Sequence, residues 1–134
     1  MIPFRLSLKP GAPISEQVIY AAKKAMLAGQ LRSGEAFPSV RALSRELKIS
    51  PATAHKVVAQ LLADGLLEVV PGVGTIVRAP PSSTAAERRR WLREELERFV
   101  VEARRLGLRR EDIVCAVTEH WSRLNPEDGG SEDG

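Results

Sequence analysis

Residues 37–65, with the sequence FPSVRALSRELKISPATAHKVVAQLLADG, predict two short helices joined by a tight turn. Pro38-Ser39 begins the first helix and Ser50-Pro51 begins the second, because serine suits an N-cap and proline suits the first helical position. Gly65 ends the second helix, since glycine is a common C-terminal stop. The turn between the helices then covers only a few residues.

The second helix has an apolar side and a polar side. Its apolar residues recur at a spacing of three and four and predict a buried stripe: Ala54, Val57, Val58, Leu61 and Leu62. The opposite side is small, polar and mildly basic: Ala52, His55, Lys56, Ala59 and Gln60. Alanine permits close approach to a DNA major groove, and the polar side chains, together with Thr53, offer hydrogen bonds to phosphates or base edges. A helix-turn-helix that reads DNA fits this pattern, and a plain helical hairpin has the same spacing.

Two apolar, β-branched runs follow the helix pair. They cover residues 66–70 and 75–79, and a Pro-Gly-Val-Gly segment separates them, which predicts a two-stranded ribbon with a glycine-rich tip. At Gly72 and Gly74 the missing Cβ lets the backbone turn sharply or approach a sugar-phosphate strand, and both roles remain open. Helix, turn, helix and ribbon in this order predict a winged helix within residues 1–79.

The segment before the helix pair predicts one supporting helix. It covers residues 14–28 and ends at Gly29, and its inner stripe comprises Val18, Ile19, Ala22, Ala25 and Met26. Residues 1–12 are expected to be extended or loop-like, and residues 30–36 to be a connector. The ring of Phe37 is expected to fill the core.

Residues 84–124 predict a helical hairpin. Thr84 and Glu87 make a capping box that opens a helix running to about residue 106. The apolar seam of this helix comprises Leu92, Leu96, Phe99, Ala103 and Leu106. A last helix over residues 110–124 carries Ile113, Val117, Trp121 and Leu124 on one side. Because so small a hairpin cannot enclose both stripes, a second copy of the chain is expected to cover them in a four-helix dimer core.

The segments around the hairpin are polar. Residues 80–83 predict a stiff linker, and residues 125–134 predict a disordered acidic tail. The arginines at 88–90 could touch DNA, but pairing of Arg90 with Glu94, and of Arg93 with Glu97, favours an ordinary solvated helix face.

Cysteine and histidine usage argues against a metal site. Cys115 is the only cysteine, which excludes an intrachain disulfide and a cysteine cluster, and its apolar neighbours predict a buried side chain. His55 and His120 lie far apart in sequence and have no carboxylate cluster beside them. We also find no set of nucleophile, base and acid and no phosphate-cradling loop, so neither an enzyme nor a cofactor is predicted.

Composition and charge are typical of a small folded protein whose two halves differ in charge. With 134 residues, of which 43% are hydrophobic and 28% charged, the chain predicts one small domain plus an appendage. It has no long apolar run and no signal-like leader, so a cytoplasmic protein that does not contact a membrane is expected. Residues 1–79 hold ten Lys or Arg against five acidic residues, and residues 80–134 hold ten against twelve. The basic excess therefore lies on the predicted DNA reader.

Five short motifs span roughly residues 10–79. They are Ala28-Gly29-Gln30-Leu31, Pro38-Ser39-Val40-Arg41-Ala42-Leu43, Ile49-Ser50-Pro51-Ala52-Thr53, Leu62-Ala63-Asp64-Gly65-Leu66-Leu67 and Gly72-Val73-Gly74-Thr75. Together they resemble the DNA-binding domain of GntR-family bacterial transcription regulators. The Ser-Pro before Thr53 and the short tail resemble the YtrA subfamily.

The resemblance implies roles for particular residues. It implies that Arg41 contacts DNA, that Ser50, Thr53 and Lys56 belong to the DNA-binding surface, and that the tail mediates dimerisation. Many members carry arginine where this chain has Pro51 and His55, so two bidentate readers of guanine are missing and base preference cannot be copied.

The sequence thus predicts a mainly α protein with a small β-hairpin, a winged helix-turn-helix followed by a dimerisation hairpin. The expected function is a homodimeric, sequence-specific DNA-binding regulator, a repressor on an inverted-repeat operator in double-stranded DNA. The alternative is a winged-helix protein-interaction module that binds no DNA. The tail is too short for an ordinary internal pocket, so a small-molecule effector would have to bind at the dimer interface or between reader and tail.

Overall fold

The computed structural model describes residues 2, 4, 6–78 and 83–124. It separates into two units, Met1–Pro81 and Ser82–Gly134. Of the predicted linker only Ser83 is described, and the predicted acidic tail lies outside the described residues.

The first unit contains three helices whose positions follow the sequence patterns. They are α1 (Ile14–Leu27), α2 (Val40–Leu47) and α3 (Pro51–Ala63). The Ser39 hydroxyl caps α2 by accepting from the Ala42 amide at 3.1 Å, and the Ser50 hydroxyl caps α3 by accepting from the Thr53 amide at 3.1 Å. Each cap satisfies a backbone donor that has no partner within its helix. The predicted starts of α2 and α3 are therefore confirmed.

The turn between α2 and α3 is held by backbone conformation and one side chain. Lys48 ends α2 with a φ of 56°, the left-handed region that is unfavourable for a residue with a Cβ. The Ser44 hydroxyl donates to the Ile49 carbonyl at 2.7 Å and so spans the turn. These contacts fix α3 against α2.

The core of the first unit lies between the three helices and the sheet. Its fully buried side chains include Val18 of α1, Leu43 of α2, and Val57 and Leu61 of α3. Phe37 is buried as expected. Phe4, within the segment expected to be loop-like, is also buried and stacks on Phe37, with ring centroids 6.3 Å apart.

The sheet pairs β1 (Leu67–Val70) with β2 (Gly74–Val77) in antiparallel register. The segment at residues 34–37, expected to be a connector, bonds to the other edge of β2. The Val77 amide donates to the Glu35 carbonyl at 2.8 Å, and the Phe37 amide donates to the Thr75 carbonyl at 2.9 Å. β2 is therefore paired on both sides, and this tethers the ribbon to the segment that leads into α2.

In the second unit an unbroken helical backbone runs through α4 (Ala85–Arg90), a π-helical turn (Trp91–Glu95) and α5 (Leu96–Arg105), and α6 (Arg110–Leu124) follows. The predicted capping box is confirmed. The Glu87 amide donates to the Thr84 hydroxyl at 3.0 Å, and the Thr84 amide donates to the Glu87 carboxylate at 2.8 Å.

The π-helical turn was not predicted from the sequence. Because of it, the prediction of two ion pairs on this helix is wrong. Arg90 does not pair with Glu94, nor Arg93 with Glu97, in the described chain; instead Arg93 lies 3.8 Å from Glu94. A π turn closes bonds to the fifth residue, so side chains four positions apart no longer align as they do on an α-helix.

The expected burial of Cys115 is also wrong, because its side chain is exposed. Ile113 and Ala116 are the half-buried residues of this part of α6. Cys115 follows Ile113 by two positions, about 200° around the helix, which turns it away from the hairpin interior. None of the described helices is long and apolar enough to cross a bilayer.

Candidate nucleic-acid interface

The outer side of α3 is a polar surface on a firmly anchored helix. Ala54, Val57 and Leu61 are fully buried and hold the inner side against the core. The outer side is exposed throughout, as the spacing predicted: Ala52, His55, Lys56, Ala59 and Gln60. A close-packed inner side fixes the direction of the outer one. The helix can therefore present small and hydrogen-bonding side chains to a groove without rearranging.

The side chains of Ser50 and Thr53 make hydrogen bonds that stabilise the start of α3. Besides capping the helix, the Ser50 hydroxyl donates to the Thr53 hydroxyl at 2.9 Å. The Thr53 side chain is half-buried, whereas Ser50 is exposed. A hydroxyl has one donor and two acceptor positions, so the Thr53 hydroxyl keeps its own hydrogen for an outside acceptor. Ser50 and Thr53 therefore lie at the exposed start of α3, with their hydroxyls already oriented.

Gln60 lies toward the far end of α3 and is partly engaged. Its amide nitrogen donates to the Asp64 carboxylate at 3.0 Å, and that carboxylate also lies 3.7 Å from the Lys23 ammonium. The Gln60 carbonyl oxygen and a second N–H remain for other partners.

Exposed cations also lie in α2 and in the turn before α3. Arg41 lies in the first turn of α2, and that turn, all of it described, holds no acidic residue. A cation there opposes the helix dipole by about 0.3–1 kcal/mol, which a bound anion would offset. Lys48, in the turn before α3, is a second exposed cation that sequence reasoning missed. Lys48 stands between two apolar residues at the end of a helix, and this pattern in the sequence could have predicted an exposed lysine there.

The tip of the ribbon depends on glycine conformation. Gly72 has a φ of 79° and Gly74 a φ of 119°, so the turn role is required at both positions. A Cβ at either position would meet no heavy atom within 4 Å, so the backbone here is also open to an approaching strand. Between them Val73 is strongly exposed.

The predicted dimer residues divide into two groups. Within the hairpin Ala103 is buried, and Leu96 and Ile113 are half-buried. The others are exposed: Leu92, Phe99, Leu106, Val117 and Trp121. The described residues contain no cluster of three His, Cys, Asp or Glu side chains that could hold a metal ion.

Comparison with known proteins agrees with this geometry. Residues 14–77 match the family described as bacterial regulatory proteins, gntR family. The HTH-type transcriptional repressor YtrA of Bacillus subtilis (strain 168) is 28% identical over 106 residues, which cover 78% of this chain and 82% of that protein. The uncharacterized HTH-type transcriptional regulator YhcF of the same strain is 27% identical over 104 residues, covering 78% and 83%.

A solved structure, the transcriptional antiterminator from Listeria monocytogenes EGD-e, superposes with a TM-score of 0.79 at 23% identity and covers 90% of this chain and 91% of that one. This likeness concerns the fold. The matched family covers the three helices and the ribbon described above, so residues 14–77 form a DNA-binding domain of the gntR family of bacterial transcription regulators.

Proposed function

We propose that the chain is a homodimeric repressor that acts in the cytoplasm and binds an inverted-repeat operator in double-stranded DNA. Each protomer inserts the outer side of α3 into a major groove and lays its ribbon along the adjacent backbone. The observation that carries this proposal is the exposed polar side of α3, held rigid by the buried Ala54, Val57 and Leu61.

The polar residues take distinct roles in this proposal. Lys56 and the start of α3 at Ser50 bind phosphates and set the register. Thr53, His55 and Gln60 face base edges, and none of them reads guanine in the bidentate manner of arginine. A phosphate beside Arg41 would relieve the unfavourable cation at the start of α2. The open backbone at Gly72 and Gly74 allows a sugar-phosphate strand to approach closely.

The exposed apolar surface of the second unit supports the homodimer. Among residues 83–124 the one buried hydrophobic side chain is Ala103, whereas many large ones are exposed. The exposed set includes Trp91, Leu92, Phe99, Val101, Leu106, Val114, Val117 and Trp121. An apolar surface of this extent on a small helical hairpin calls for a partner. A second hairpin offers a matching surface, and two-fold pairing brings two α3 helices to one duplex, which requires an inverted repeat.

The relatives support repression, because the matching Bacillus subtilis YtrA is named a transcriptional repressor. The test has two stages. Genomic fragments retained by the full chain are sequenced and footprinted, and an inverted repeat protected by two protomers is the expected result. The proposal would be rejected if the retained fragments shared no inverted repeat and the protein gave no footprint on them.

The second stage compares Lys56→Ala with Lys24→Ala, a matched loss of one exposed lysine on α1. If Lys56 binds one phosphate in each protomer, the dependence of log affinity on log salt falls by about 1.8 for Lys56→Ala, from about 0.9 per contact. The slope should stay unchanged for Lys24→Ala. Equal slopes for both variants would remove Lys56 from the interface.

A further inference from the structure

The start of the second unit carries a concentrated positive charge. Residues 83–93 contain the three consecutive arginines at 88–90, together with Arg93, against the single acidic residue Glu87. All of these arginines are exposed. The cluster belongs to no part of the winged helix.

Arg93 lies 3.8 Å from the Glu94 carboxylate, but none of the three arginines at 88–90 makes an ion pair in the described chain. Glu87 is occupied in the capping box with Thr84. Arg88 donates to the Ser83 carbonyl at 2.7 Å and to the Ser83 hydroxyl at 3.1 Å, which are uncharged partners. Arg89 has no acidic residue three or four positions away, and the π-helical turn takes Glu94 out of line with Arg90, so neither arginine makes an ion pair within residues 83–124. Two of the three consecutive arginines therefore lack a carboxylate partner.

Local electrostatics also disfavour the cluster. The unbroken helical backbone starts at Ala85, so the arginines lie in its first two turns, toward the positive end of the helix dipole. Three adjacent cations repel one another there. Because the helix dipole and the mutual repulsion both disfavour charges of this sign at this place, an external anion is the natural partner.

We propose that the arginines at 88–90 bind backbone phosphates of the DNA that flanks the operator, a contact additional to those of the winged helix. The proposal rests on the proposed function, because the first unit must already hold a duplex. Nine residues separate Arg78 from Arg88, and even fully extended the ten steps between their Cα atoms span at most about 36 Å, close to one turn of B-DNA. The tether thus keeps the cluster at high local concentration beside any duplex bound by the first unit.

Arginine chemistry suits phosphate rather than base contacts at this place. The guanidinium group stays charged and donates in a fork that matches phosphate oxygens. Consecutive arginines point in different directions around a helix, as multiple phosphates along a curved backbone would require. The contact should therefore be independent of the flanking sequence.

The test uses full-length R89Q/R90Q and two duplexes. One carries the footprinted operator with 15 extra base pairs of random sequence on each side, and the other ends at the operator. On the long duplex the salt slope of the variant should fall by about 1.8–3.6 units relative to wild type, from two to four phosphates in the dimer at about 0.9 each. Hydroxyl-radical protection of the flanks should disappear while the central footprint remains, and on the short duplex the two proteins should bind within twofold of each other. R89K/R90K, which keeps the charges, should retain most of the slope.

The matched control is R104Q/R110Q, since both arginines are exposed and neither makes an ion pair in the described part of the hairpin. An equal fall in slope for this control would overturn the proposal, as would an unchanged slope for R89Q/R90Q or an equal loss on the short duplex. Loss of the central footprint in R89Q/R90Q would also overturn it. If wild-type protein gave no operator footprint, the proposed function itself would fail, which is a separate result.

Discussion

Trp121→Ala is expected to weaken the proposed homodimer by about a thousandfold. Trp121 is 73% exposed, and it lies on the same side of α6 as the exposed Val114 and Val117. The substitution removes the more exposed of the two tryptophans and leaves the interior of the hairpin intact. It therefore tests the partner surface rather than the fold of one chain.

The magnitude follows from the exposed fraction. A tryptophan side chain can bury up to about 250 Å², so the 73% that is exposed leaves about 180 Å² for a partner to cover. At about 25 cal/mol per Å², covering half of that area is worth about 2 kcal/mol for each chain. The two equivalent tryptophans of a dimer give about 4 kcal/mol, which corresponds to about a thousandfold in Kd.

Sedimentation equilibrium over a wide range of protein concentrations measures this change directly. Wild type should sediment as two chains at micromolar concentration and Trp121→Ala as one, with unaltered far-ultraviolet circular dichroism. Operator affinity should fall as well, because two half-sites would no longer be bound by one particle.

Cys115→Ser is the matched control on the same helix. Cys115 is exposed and lies well away from Trp121 around α6, so this variant should remain a dimer. A dimerisation constant for Trp121→Ala within threefold of wild type would refute the assignment of this surface to a second copy. So would equal weakening by Cys115→Ser.

Four substitutions test the local geometry of the winged helix. Ser50→Ala removes the cap of α3 and should lower the free energy of unfolding by about 1 kcal/mol in urea titrations. Ser50→Asp keeps a capping oxygen but adds a negative charge beside DNA, so stability should be retained and gel-shift affinity should fall at least tenfold; a loss of stability equal to that of alanine would contradict this. Lys48→Gly removes a left-handed non-glycine residue and should raise the free energy of unfolding by about 1 kcal/mol, and no gain would show that the turn is unstrained. Gly74→Ala should lower it by about 1–3 kcal/mol through its φ of 119° alone, since the space around it is open, and an unchanged urea midpoint would argue against that conformation.

Local signals made the first unit predictable from sequence. The starts of α2 and α3 depend on Ser39 and Ser50, each of which bonds to an amide three positions along the chain. The buried stripe of α3 depends on helical spacing alone. Interactions between residues so close in sequence leave a pattern that can be recognised in the amino-acid sequence.

Non-local pairing left no such pattern. The segment at residues 34–37 joins β2 through backbone hydrogen bonds, which any non-proline residue can make, so its side chains gave no strand signal. Phe4 is buried because Phe37 offers a ring to stack against, and 32 intervening residues separate the two. The π-helical turn likewise has no residue signature in the sequence from Trp91 to Glu95.

The arrangement of α3 separates stability from recognition. The residues that hold the helix, Ala54, Val57 and Leu61, are fully buried, and the exposed residues on the other side contribute little to the core. A substitution at His55 can therefore alter a contact with DNA without creating a cavity, whereas a truncation at Leu61 would cost about 2–5 kcal/mol. Thr53 is the exception, because its hydroxyl bonds to the helix cap while its side chain lies at the edge of the outer surface. Changes of operator preference should thus be tolerated at His55 and resisted at Thr53.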